Sequence, residues 1–128
     1  MRKTKSLKIN TDFRMIYQTG KSYANKFLIM YVRKNGFNNN RLGISVSKKV
    51  GNSVVRHRIT RLIKESYRLS EDQIINGLDI VVVARVNAKG KNYTEIESAL
   101  MHLIKLHRIG ILSSSSTDRE NSSEGRNG

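Results

Sequence analysis

The sequence predicts an α+β domain, a two-layer sandwich of a small mixed sheet and helices in the order α-β-β-α-β-α. Three observations carry that expectation. Residues 55–69 and 96–107 repeat apolar side chains at helical spacing. Residues 27–32 and 80–84 are short, unbroken apolar runs rich in strand-forming side chains. At 128 residues the chain has room for one hydrophobic core.

Residues 1–9 read as a flexible basic arm. Asn10, Thr11 and Asp12 are residue types that cap helices, and Phe13, Ile16 and Tyr17 follow at i, i+3 and i+4. Gly20 is expected to stop this first helix by entering the left-handed conformation of a C-cap. Residues 26–33 form a mostly buried strand, and a turn-rich connection over 34–40 leads to a second strand, 41–47. There Leu42, Ile44 and Val46 alternate with Gly43, Ser45 and Ser47. One face is apolar and the other small and polar, either a surface that an extended ligand can approach closely or an ordinary half-buried strand. Asn52 or Ser53 caps a long helix with Val55, Ile59, Leu62, Ile63 and Leu69 on its apolar face. Residues 79–85 form a third strand whose unbroken apolar run fits burial on both faces. Residues 93–107 form the last helix, with Ile96, Leu100, Leu103 and Ile104 at helical spacing. Residues 10–112 are thus one domain, and the serine-rich residues 113–128 are expected to be disordered.

Charge narrows the class of partner. The formal charge is +14, and residues 1–64 hold 16 Lys and Arg against one acid, Asp12, whereas residues 65–112 hold six of each sign. Such asymmetry points to a polyanion, because a merely solubilising surface is better served by interspersed signs. The long helix concentrates it. His57, Arg61, Lys64 and Arg68 recur at i, i+4, i+7 and i+11 as a ridge flanked by Arg56, Arg58 and Thr60. Glu65 is the only acid between Arg41 and Arg68, so no intrahelical ion pair is expected to relieve the repulsion. A face like this can lie along successive phosphates of a folded nucleic acid. Phe13, Tyr17, Tyr23, Phe27 and Tyr31 sit among Arg14, Lys21, Lys26 and Arg33. Aromatic faces interleaved with cations stack unpaired bases; core packing is the alternative for each, and Tyr17 and Tyr31 suit stacking better than Phe27.

Other chemistries fall away. The absence of cysteine excludes disulfides, thiolate catalysis and Cys-ligated zinc. The longest apolar run is six residues against the ~20 needed to span a bilayer. The basic N-terminus leads into no signal-peptide stretch, so a soluble cytoplasmic protein without a membrane partner is expected. His57, His102 and His107 lack metal-ligand spacing, and Glu71, Asp72, Glu95 and Glu97 read as helix-start charges. No catalytic or metal-binding residues are expected.

The stretch Arg41-Leu-Gly-Ile-Ser-Val-Ser-Lys-Lys-Val-Gly-Asn-Ser-Val-Val-Arg-His-Arg-Ile-Thr-Arg-Leu-Ile-Lys-Glu65 closely resembles the bacterial ribonuclease P protein component. Asp12-Phe13 through Gly20, Tyr31 and Asp79-Ile-Val-Val-Val-Ala-Arg85 match that family's pattern in order and spacing, and the likeness covers roughly residues 8–108. The resemblance implies a left-handed βαβ crossover and a subunit of an RNA-protein endoribonuclease that removes 5′ leaders from precursor tRNA. It implies that the catalytic RNA subunit holds the Mg2+, with no cofactor bound by the protein alone and no obligate protein partner. By the same resemblance, Arg56, His57, Arg58, Arg61, Lys64 and Arg68 would contact the RNA subunit. Phe13, Tyr17, Tyr31, Lys48 and Lys49 would line the cleft for the leader. His57 stands where the family has asparagine, and Thr60 where it has lysine. The alternative function is a general structural RNA-binding protein of ribosomal or RNA chaperone type.

Overall fold

In the computed structural model, which describes residues 4–7 and 11–111, the chain runs β1 (Thr4–Ser6), α1 (Thr11–Thr19), β2 (Lys21–Ala24), β3 (Leu28–Lys34), β4 (Asn40–Val46), α2 (Ser53–Ser70), β5 (Leu78–Ala84) and α3 (Tyr93–His107). The three helices and three long strands follow the expected order. The strands form one mixed sheet in the order β1-β4-β5-β3-β2, with β1, β4 and β5 parallel and β5, β3 and β2 antiparallel. β4 and β5 are parallel neighbours joined through α2, so the connection is a βαβ unit.

Alternation along the strands sorts the side chains into two layers. Leu28, Met30 and Val32 of β3, Leu42 of β4 and Ile80 and Val82 of β5 pack against Ile59, Ile63 and Tyr67 of α2 and Ile96, Leu100 and Leu103 of α3. On the opposite face, α1 packs through Ile16 onto Val81, with Leu7 completing that smaller cluster. β5 is therefore covered on both sides, as its unbroken apolar run requires.

Several local expectations are corrected. Thr4–Ser6, part of the supposed flexible arm, pair with β4, and Thr4 Oγ1 lies 2.9 Å from the Tyr67 hydroxyl. A second short strand, β2, was also unforeseen. Residues 26 and 27 belong not to β3 but to a turn in which Asn25 Oδ1 accepts the amides of Phe27 and Leu28. Leu69 is 58% exposed, because Tyr67, with its hydroxyl satisfied by Thr4, takes the core position on that turn of α2. Gly20 does end α1, but it is not among the glycines with positive φ. Its amide donates to the Ile16 carbonyl at 2.8 Å, and a Cβ there would stand 2.7 Å from that same oxygen. Close approach, not left-handed backbone, calls for glycine. The serine-rich tail lies outside the described residues.

Candidate nucleic-acid interface

α2 starts at Asn52, whose side chain accepts the Val55 amide at 3.0 Å, satisfying one of the donors left unpaired at a helix N-terminus. Burial of Ile59, Ile63 and Tyr67 then fixes the rotation of the helix and turns the cationic side outward. His57, Arg58, Arg61, Lys64 and Arg68 are all exposed, and Arg56 is half-buried. Two of the arginines are anchored: Arg56 Nε donates to the Gly51 carbonyl at 3.1 Å, and Arg58 Nη1 to the Lys91 carbonyl at 3.0 Å. Each spends one N–H on the scaffold and keeps its full charge.

The expectation of no intrahelical ion pair is overturned at one point. Arg68 Nη2 reaches Glu65 Oε2 at 2.7 Å, one turn apart, and the hydrogen bond from Arg68 holds the Glu65 carboxyl below its usual range. Both side chains are about half exposed, so water screens the pair strongly and it adds little to stability. It does occupy Arg68. Among the described residues, His57, Arg61 and Lys64 make no hydrogen bond or ion pair, and these three carry the unspent part of the ridge. Thr60 donates to the Arg56 carbonyl at 3.0 Å, so the position where a lysine would extend the cationic face is turned back onto its own helix.

The second predicted surface is the open sheet face beside α1. Phe13 lies directly on Gly43, where a Cβ would come within 2.5 Å of its ring. The small residue on β4 is what lets α1 sit this low. Phe13 meets Tyr17 edge-on at 6.2 Å, and Tyr17 lies 4.7 Å from Tyr31 at 58°. Tyr17 is 40% exposed and Tyr31 half-buried, while Phe13 is mainly a packing residue that supports them. Burial raises the Tyr17 hydroxyl pKa, a hydrogen bond with Ser45 partly offsetting the effect, so the ring stays neutral and polar-tipped. Lys48 and Lys49 are exposed in the turn after β4, where Val50 donates to the Ser47 carbonyl at 3.1 Å. They lie in the connection between β4 and α2.

Sequence reasoning missed the polar row that braces this face. Arg33, Asp79 and Arg41 are in register across β3, β5 and β4. Arg41 grips Asp79 with two bonds of 2.8 Å, and Arg33 adds one at 3.3 Å. The available signal was an aspartate opening a wholly apolar strand, which in a buried setting demands cationic partners. No three His, Asp or Glu side chains among the described residues converge as a metal-binding group, and no described helix is long and apolar enough to cross a membrane.

Sheet and helices together define a small α+β domain with a strongly cationic helix flank turned to solvent. The Ribonuclease P family profile matches residues 1–108. The chain is 65% identical over 116 residues to the ribonuclease P protein component of Lachnoclostridium phytofermentans, covering 91% of this chain and 98% of that one. It is 58% identical over 109 residues to that of Alkaliphilus metalliredigens, covering 85% and 98%. The fold superimposes on the Staphylococcus aureus RNase P protein with a TM-score of 0.77 at 39% identity, covering 82% of this chain and 96% of that one. For the Thermotoga maritima RNase P protein the TM-score is 0.72 at 31% identity, with 77% and 94% covered. The chain belongs to the ribonuclease P protein family, the protein subunit of the endoribonuclease that matures tRNA 5′ ends.

Proposed function

We propose that the exposed flank of α2 docks on the folded catalytic RNA subunit, while the cleft beside α1 holds the single-stranded 5′ leader of precursor tRNA. Catalysis and the Mg2+ ions belong to the RNA subunit in this reading. The observation that carries it is the outward row of His57, Arg61 and Lys64 beside the anchored Arg56 and Arg58, with the one acid of the helix already held by Arg68. Unrelieved like charge destabilises an isolated helix, and phosphates remove that penalty. Neutralising RNA phosphates also replaces part of the magnesium otherwise needed to screen them, so the protein lowers the magnesium requirement of the assembly.

The leader site follows from different chemistry. Tyr17 and Tyr31 offer partly exposed π-faces, a stacking platform tolerant of base identity. Ser45 keeps the floor low, and Lys48 and Lys49 supply charge for the strand's phosphates. The protein works in the bacterial cytoplasm and needs no second protein. Among the described residues, no three His, Asp or Glu side chains converge as a metal site.

A three-armed cleavage assay of precursor tRNA at low magnesium tests the reading: protein alone, RNA subunit alone, and both. Cleavage by the pair alone is expected. Leader removal by purified protein would contradict it, and RNA cleavage unaffected by the protein would leave only a general RNA-binding role.

A further inference from the structure

α1 crosses the open face of the sheet, with Phe13 against Gly43 of β4 and Ile16 packed with Val81 of β5. Tyr17, Tyr31 and Ser45 lie on one side. Beyond α1, four residues along β4 from Ser45 and hence about 13 Å away, Arg33, Asp79, Arg41 and Lys5 stand in register across four strands. Past this row the β3–β4 loop presents Phe37, 56% exposed.

That loop is built rather than left over. Asn35 Oδ1 accepts the Phe37 amide at 2.7 Å, and Asn35 Nδ2 donates to the Asn39 carbonyl at 3.2 Å and to Asp79 Oδ1 at 3.1 Å. The backbone amide of Asn35 bonds the Gly77 carbonyl at 2.9 Å, and Gly36 takes the positive φ of 78° that the turn requires. The buried Asp79 thus ties together the loop, Arg33 and Arg41. The Arg41 guanidinium lies 5.3 Å from the Phe37 ring centre, backing the ring with positive charge. Lys5, Gly36, Phe37, Asn38, Asn39 and Arg41 line the resulting groove. Lys5 and Arg41 bring positive charge to its lining, and Arg41 and Arg33 both bond the buried Asp79 beneath.

We propose that this groove is a second subsite for single-stranded RNA, in which an unpaired base stacks on Phe37 and its phosphate lies near Lys5. Charge alone would suit an acidic peptide equally. A flat ring held rigidly in the open and backed by a cation favours a π-face, which an unpaired base offers and a duplex does not. The side-chain amides of Asn38 and Asn39 supply donors and acceptors for a base edge. The inference rests on the leader-binding reading, because the unpaired strand nearest the groove is the one held in the cleft across α1.

The reconstituted holoenzyme tests it with two precursor tRNAs, one with a leader just long enough for the cleft and one with a longer leader. Phe37→Ala should weaken binding of the long-leader substrate about tenfold, the loss of one base stack, and change the short one by less than about twofold. Tyr31→Ala should weaken both. The chain has no tryptophan, so Phe37→Trp adds a single fluorophore on a stacking ring, and its emission should be quenched by the long-leader substrate alone. If Phe37→Ala leaves the long leader unaffected, or weakens both leaders equally, the subsite is refuted. Loss with Tyr31→Ala but not with Phe37→Ala would leave the leader reading standing, and loss with neither would remove both.

Discussion

Replacing Asp79 with asparagine keeps the shape of the side chain and removes its charge from a site with no solvent exposure. The carboxylate accepts two bonds of 2.8 Å from Arg41, one of 3.3 Å from Arg33 and one of 3.1 Å from Asn35. Breaking a buried ion pair costs about 3–5 kcal/mol. Both guanidiniums keep about a quarter of their side-chain surface in water, 25% for Arg33 and 24% for Arg41, so solvent takes over part of the lost interaction. The expected loss is therefore about 2–3 kcal/mol. Urea unfolding at neutral pH should show a midpoint lower by about 1–2 M at an unchanged slope. The dependence on pH has a definite sign. Burial by itself pushes the Asp79 carboxyl up, but hydrogen bonds from Arg41, Asn35 and Arg33 outweigh it and hold the folded-state pKa below the usual value. The unfolded chain then binds more protons, so the contribution is complete above the ordinary carboxyl range and disappears as pH falls through the depressed folded value. The gap between wild type and variant should close below about pH 4. A variant within about 0.5 kcal/mol of wild type at neutral pH, or a gap that does not narrow in acid, would refute the argument.

Two further outcomes follow from packing and titration. Gly43→Ala forces a Cβ to within 2.5 Å of the Phe13 ring, so α1 must lift; thermal unfolding should show a loss of about 1–3 kcal/mol, and an unchanged melting temperature would mean that the ring swings aside freely. His107 donates from Nε2 to the Met30 carbonyl at 2.8 Å, and burial, aided by Lys21, lowers its pKa despite that bond. Stability should therefore be complete above about pH 6.5 and decline as pH falls through the lower folded-state value; His107→Gln should flatten that decline, and an equally steep profile would assign it elsewhere.

Legibility followed the physics of each element. α3 could be bounded from sequence because Asn92 and Glu95 close a capping box over a regular apolar repeat. The outward face of α2 was readable because one side of the helix is so uniformly cationic. β1 and β2 were not, since Thr-Lys-Ser and Lys-Ser-Tyr-Ala carry no apolar alternation, and backbone pairing with a neighbouring strand decides them. The Arg33–Asp79–Arg41 row joins residues 46 and 38 positions apart and becomes visible only once strand register is known. Tyr67 displaced Leu69 from the core for a similar reason: its hydroxyl partner, Thr4, lies 63 residues away. Phe13 packs on Gly43 and against Tyr17, a role that spacing alone does not separate from stacking.

The central claim is that the flank of α2 neutralises phosphates of a folded RNA. The most direct measurement is the salt dependence of binding to the ribonuclease P RNA subunit, for wild type and for the double substitution Arg61→Glu, Lys64→Glu. Both side chains are exposed, so the fold should persist. The account predicts a shallower slope of log K against log salt concentration, by about 1.5–2, as two phosphate contacts are lost. An unchanged slope and affinity would contradict it.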